Sequence, residues 1–134
     1  MGIGGINMEL ERTIDMGGFF IKKYRDESPI NPVEFVQNLR NLGIIIRDIK
    51  VKESVESDMK SLDGATFSSD DFLYQYDRII AQARDASFEI EILYNDLPTF
   101  ITIADKSNTI ALTTVVEDLD LNEITQKKTN SFRF

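Results

Sequence analysis

The sequence predicts an α+β protein: an antiparallel or mixed sheet of about five to six strands with two main helices packed on one face. Three observations lead there. Runs rich in β-branched residues recur at 44–51, 87–94, 100–104 and 109–116. Two amphipathic segments with helix-start signals begin near Asn31 and Ser69. The remaining strands follow one another directly across turn residues, as hairpin-connected strands do, with no regular alternation of strand and helix. A chain of 134 residues with 42% hydrophobic and 28% charged content suits one domain over 1–134, with 1–7 expected to be flexible.

Along the chain, MELERTI (8–14) and FFIKKYR (19–25) read as extended segments joined by DMGG, whose glycines supply the positive φ of a tight connection. Asn31 caps a helix, Pro32 suits its first position and Glu34 stands three residues after the cap. Phe35, Val36, Leu39 and Leu42 recur at helical spacing, and Gly43 is placed to end the helix in a left-handed conformation. Residues 44–51 form a strand. In the next helix Ser69 is the expected cap, and Asp70 and Asp71 complement the positive end of the dipole. Phe72, Tyr76, Ile79, Ile80 and Ala83 make its apolar face, through about Ala86. SFEIEILY (87–94) alternates as a half-buried strand does. Pro98 marks the boundary before the strand 100–104, and DKSN turns the chain into 109–116. DLNEITQKK (120–128) adds a short helix, and the tail 130–134 is either loose or paired with a sheet edge.

Composition removes much chemistry. With no cysteine there is no disulfide, thiol nucleophile or thiolate metal site, and with no histidine there is no Ser-His-Asp or Cys-His machinery and no common zinc ligand set. The longest apolar run, Ile44-Ile45-Ile46, is far too short to span a bilayer. The opening MGIGGIN matches a myristoylation signal only at Gly2, since position 6 is Ile6. No basic start leads into a long apolar core, so the expectation is a cytoplasmic protein without membrane contact.

The formal charge is −8 and unevenly placed. Residues 1–52 carry eight basic and seven acidic groups, whereas 53–77 carry one basic and seven acidic groups. Such a surface repels phosphate backbones, and the one basic cluster, Lys22, Lys23 and Arg25, runs straight into Asp26 and Glu27, so direct nucleic-acid binding is not expected.

Several patterns touch catalytic or metal chemistry and fall short. Asp118, Asp120 and Asn122 match the first ligand spacings of an EF-hand loop, but its glycine position holds Glu123 and its last ligand position Thr129. Asp120 as a helix cap explains the run better. Asp48-Ile49-Lys50 and Asp58-Met59-Lys60 resemble a nuclease fragment, yet no further carboxylate is placed to share a metal. Glu89 and Glu91 stand about 7 Å apart along one strand face, which suits sugar hydrolysis, but acids on a wet strand face are ordinary. Gly2, Gly4 and Gly5 do not complete a phosphate-binding GxGxxG. No metal, cofactor or catalytic residue is assigned.

The acidic segment itself is either solvated surface or a docking surface for a basic partner, for which clustered charge speeds association. It reads locally as a short helix with Val55, Met59 and Leu62 inward, or as a hairpin across a type I′ turn at Asp63-Gly64; both put the acids in water. The sequence therefore points first to a non-enzymatic protein-binding module, an inhibitor, immunity protein or adaptor that meets a basic protein through Glu53, Glu56, Asp58, Asp63, Asp70, Asp71 and Asp77. Three alternatives stand beside it. A nucleic-acid mimic would block a DNA-binding defence enzyme. A small-ligand binder or an enzyme working through carboxylates, lysine and tyrosine would use Tyr24, Tyr74, Tyr76 or Tyr94, and an assembly subunit would form a homo-oligomer through an apolar patch or sheet edge.

Overall fold

The computed structural model describes residues 8–53, 62–83 and 85–126. Among these residues, seven antiparallel strands form one sheet, and three helices accompany it. In chain order these are β1 (Glu9–Asp15), β2 (Phe20–Ile30), α1 (Pro32–Asn41), β3 (Ile45–Lys52), β4 (Thr66–Phe67), α2 (Ser69–Gln82), β5 (Ser87–Tyr94), β6 (Leu97–Ala104), β7 (Ser107–Thr114) and α3 (Leu121–Thr125). The spatial order is β1-β2-β7-β6-β5-β3-β4, so β2 inserts beside β7 and every neighbour runs antiparallel.

The sheet is wider than the five to six strands expected because two residues of the acidic connection, Thr66 and Phe67, pair with Lys50 and Ile49 as β4. So short a strand carries no alternation to detect. Gly64 adopts a positive φ of 85° there, but Asp63 does not, so Asp63-Gly64 does not form a type I′ turn. The helix considered for Val55 and Met59, the glycine-rich start and the tail 130–134 lie outside the described residues.

Turn chemistry settles the other connections. Tyr94 pairs with Leu97 across Asn95 and Asp96, which have φ of 52° and 65°, the signature of a type I′ turn. Pro98 therefore lies inside β6 and not before it. It is tolerated because β7 first pairs with β6 at Phe100, which leaves Pro98 without a neighbour on that side. Asp105 and Lys106 alone join β6 to β7, a tighter turn than DKSN implied.

Both long helices start and stop where local chemistry requires. The Asn31 side chain accepts the Val33 and Glu34 amides at 2.9 and 3.2 Å, and Gly43 leaves α1 with φ of 80°. In α2 the cap is Ser68, one residue earlier than expected, because its hydroxyl and not that of Ser69 reaches the Asp71 amide at 3.1 Å. This helix ends at Gln82, short of Ala86, because Ala83 leaves it in an extended conformation, with φ of −87° and ψ of 134°.

Alternation divides the sheet. Tyr24, Ile49, Phe88, Ile90, Ile101 and Leu112 are fully buried on one face. Phe72 and Tyr76 of α2 meet Phe88 there with ring centroids 5.1 and 5.8 Å apart. At the other end of that face, α3 is tied to β2 by the Tyr24 hydroxyl, which donates to Asp120 and accepts the Leu121 amide. Lys22 is also buried, and its ammonium donates to the Glu117 carbonyl and, at 2.6 Å, to the Leu119 carbonyl.

Candidate functional site

The seven acids expected to meet a partner do not form one group. Glu53 is only 6% exposed, contrary to the expectation that all of them face water. Its carboxylate accepts the Leu62 amide at 2.6 Å, while Asp63 accepts the Glu53 amide at 2.9 Å. The two acids bracket the neck of the loop between β3 and β4, where backbone amides would otherwise be buried without acceptors. Glu56 and Asp58 lie outside the described residues.

Asp70, Asp71 and Asp77 do come together, on the outer side of α2, and all are exposed. With 3.6 residues per turn, Asp70, Asp71, Tyr74, Asp77, Arg78 and Ala81 fall within about 120° of the helix circumference, with Tyr74 near the middle. Phe72, Tyr76 and Ile79 occupy the opposite side and are buried. Tyr74 is 90% exposed, the most of any large apolar side chain described. Asp70 is paired with Arg40 of α1 at 2.7 Å, but its side chain is 79% exposed, so water screens the pair and a competing cation can replace Arg40.

Tyr74 is the residue that the charge pattern alone misses. The signal was present: Tyr74 lies two residues from both Phe72 and Tyr76, which the apolar periodicity assigns to the core, so it must point away from that core. A phenol ring on a helix side that carries Asp70, Asp71, Asp77 and Arg78 offers a flat apolar contact with a polar tip among mostly acidic neighbours. That combination suits a cationic side chain with an aliphatic stem.

The other tyrosines are structural. Tyr76 donates to Asp105 at 2.9 Å, pinning α2 to the β6–β7 turn, and burial first and this bond second push its hydroxyl upward. Burial pushes Tyr24 from 10.0 to about 12, opposed by the Leu121 amide and assisted by Asp120. Tyr94 shifts upward too, through burial and then through the charge of Glu123. None is poised to lose a proton near neutral pH.

Of the patterns reminiscent of catalysis, Asp58-Met59-Lys60 and Gly2, Gly4 and Gly5 lie outside the described residues, and others have local partners. Asp120 caps α3 and accepts the Asn122 amide at 3.3 Å. Glu91 faces Arg47 at 3.8 Å, and Asp48 follows a bulge in β3. Among the described residues no group of three or more acids is arranged to hold a metal, and no helix is long and apolar enough to cross a membrane. A depression of about 450 Å³ between β2 and α1 is lined by Asp26, Glu34 and the amides of Asn31, Gln37 and Asn38. The Asn38 Nδ2 is buried there with no hydrogen-bond partner among the described residues. Comparison with protein-family models, with curated proteins and with solved structures gives no match.

Proposed function

We propose that this chain is a non-enzymatic, cytoplasmic protein-binding module that docks a basic partner through the outer side of α2. The reading takes α1 and α2 side by side on the buried face of the sheet, with Tyr74 at the centre of the contact and Asp70, Asp71 and Asp77 around it. One observation carries it: a tyrosine 90% exposed on a helix side that carries three exposed carboxylates and one arginine. Aromatic residues held on fixed elements are the usual energetic centres of interfaces, and surrounding charge selects the partner and raises the association rate. Glu53 and Asp63 take no part, because their hydrogen bonds hold the loop.

The immobilised protein, a Tyr74→Ala variant and an Asp70→Asn/Asp71→Asn/Asp77→Asn variant should be exposed to proteins of the native host at low and high salt. The reading expects a basic protein retained by the wild type at low salt, lost at high salt, and lost from both variants. Retention that ignores both variants would overturn it. The mimic of nucleic acid is less well supported. Duplex DNA carries a charge about every 1.7 Å, and the 14 residues of α2 extend only about 21 Å with three carboxylates along that side.

A further inference from the structure

One edge of the sheet stands open. β1 comes last in the strand order and pairs only with β2 among the described residues. All seven of its residues are exposed except Ile14, which is half-buried. At the opposite edge β4 is two residues long, too short to template another strand. β1 offers a longer row of backbone groups, interrupted by a bulge at Glu11.

The start of this edge is already held by the C-terminal part of the chain. The Asn122 side chain accepts the Met8 amide at 2.7 Å and donates to the Met8 carbonyl at 2.8 Å, a two-bond grip like that of a neighbouring strand. Asn122 belongs to α3, and Gln126 follows four residues later, about 6 Å along a helix. The chain therefore leaves α3 near the start of β1. The next eight residues, KKTNSFRF (127–134), lie outside the described residues. Extended, they reach about 26 Å, against about 23 Å for β1. From that starting point they can cover β1 only by running in its own direction, since an antiparallel course would spend all eight residues in reaching the far end.

In that direction the side chains match. With Phe132 beside Ile14, Arg133 falls beside Asp15 and Phe134 beside Met16, which is 49% exposed. Arg12 meets Asn130, so no like charges are opposed. Before the bulge, Lys127 or Lys128 falls beside Glu9, according to whether the added strand follows the extra residue at Glu11. Residues 127–134 carry three bases and no acid, whereas β1 carries Glu9, Glu11 and Asp15 against Arg12. Ile14 pairs with Ile21, so Phe132 lengthens an apolar row across the strands.

We propose that the free edge of β1 is a strand-addition site, and that residues 127–134 of the same chain fill it as a strand parallel to β1. The added strand closes an edge on which another chain could otherwise pair. It leaves α2 and Tyr74 uncovered, so it stands or falls separately from the docking function.

Because the chain has no cysteine, a nitroxide label can be placed singly in the full chain, at Thr129→Cys or at Phe134→Cys. Its broadening of backbone amide resonances is then read by NMR. The first label should broaden Glu9 and Leu10 most, the second Asp15 and Met16, with a strength unchanged by dilution. In the unlabelled protein, Ser131→Pro should speed hydrogen exchange in β1 by about tenfold or more and leave β5 and β6 slow. Broadening centred on Asp70 to Asp77, on β4 or nowhere would overturn the proposal, as would exchange in β1 that ignores Ser131→Pro. Reversal of the two labels would also overturn it, because the strand would then be antiparallel. Equal broadening of isotope-enriched, unlabelled protein by added labelled protein would overturn it too, and would assign the edge to the tail of another copy.

Discussion

Tyr24 of β2 donates its hydroxyl to Asp120 at 3.0 Å, and the same oxygen accepts the Leu121 amide at 3.0 Å, joining positions 96 residues apart in sequence. One fully buried phenol thus organises the start of α3 and fixes that helix to the sheet. Tyr24→Phe leaves the Leu121 amide buried without an acceptor. The expected loss is about 1–3 kcal/mol of stability, read from urea denaturation, with no change in secondary structure by circular dichroism.

Stability should fall on the alkaline side. The unfolded chain ionises its tyrosines near 10.0, whereas burial holds the Tyr24 proton to about 12, and Tyr76 shifts in the same direction. A raised value means that the contribution is complete below 10.0 and is lost as the pH climbs toward 12. Urea midpoints measured below and within that window should show the decline, and Tyr24→Phe should make it shallower.

Lys22 and Lys23 are neighbours with opposite circumstances. Lys22 is 7% exposed and directs its donors to the carbonyls of Glu117 and Leu119, while Lys23 faces water. Amine-reactive labelling of the native protein should modify Lys23 and spare Lys22. Lys22→Met should destabilise by about 2 kcal/mol, because two carbonyls lose a charged donor.

The loop neck makes a local prediction. Glu53→Ala removes the acceptor of the Leu62 amide, so hydrogen exchange at that amide should quicken sharply while exchange in β5 and β6 stays slow. Glu53→Gln keeps an oxygen in place and should retain most of the protection.

Phe72 and Tyr74 provide a contrast on one helix. Phe72 packs edge-on against Phe88 at 5.1 Å, and Phe72→Ala should cost about 3–5 kcal/mol. Tyr74→Ala should change stability by no more than about 0.5 kcal/mol, since its ring touches mostly water. Thermal denaturation of the two variants separates them.

Where periodicity and capping act over several residues, the fold was legible in the sequence. Asn31, Pro32 and Gly43 bounded α1, the spacing of Phe72, Tyr76 and Ile79 set the buried side of α2, and alternation set the buried side of β5. What escaped was short or long-range. The two residues of β4 have no period, and Ser68 and Ser69 differ as caps only in backbone geometry. No local pattern announces that β2 lies beside β7. The candidate site was half legible, because formal charge does not distinguish Asp70, which faces solvent, from Glu53, whose carboxylate is turned inward to a backbone amide.

The place of β2 in the sheet also orders events during synthesis. Its residue Tyr24 must align with Ile110, and Ile21 with Thr113, so the first hairpin emerges from the ribosome long before the strand that will flank it. The β5–β6–β7 meander can zip through its two-residue turns as soon as it is made, with β3 added along β5. The early hairpin has to wait, one edge unpaired, until that later part has formed. Such separation between partners slows folding toward the millisecond-to-second range. It also leaves that edge of β2 without its neighbour for as long as β7 is missing, the kind of unpaired strand edge on which folding chains aggregate.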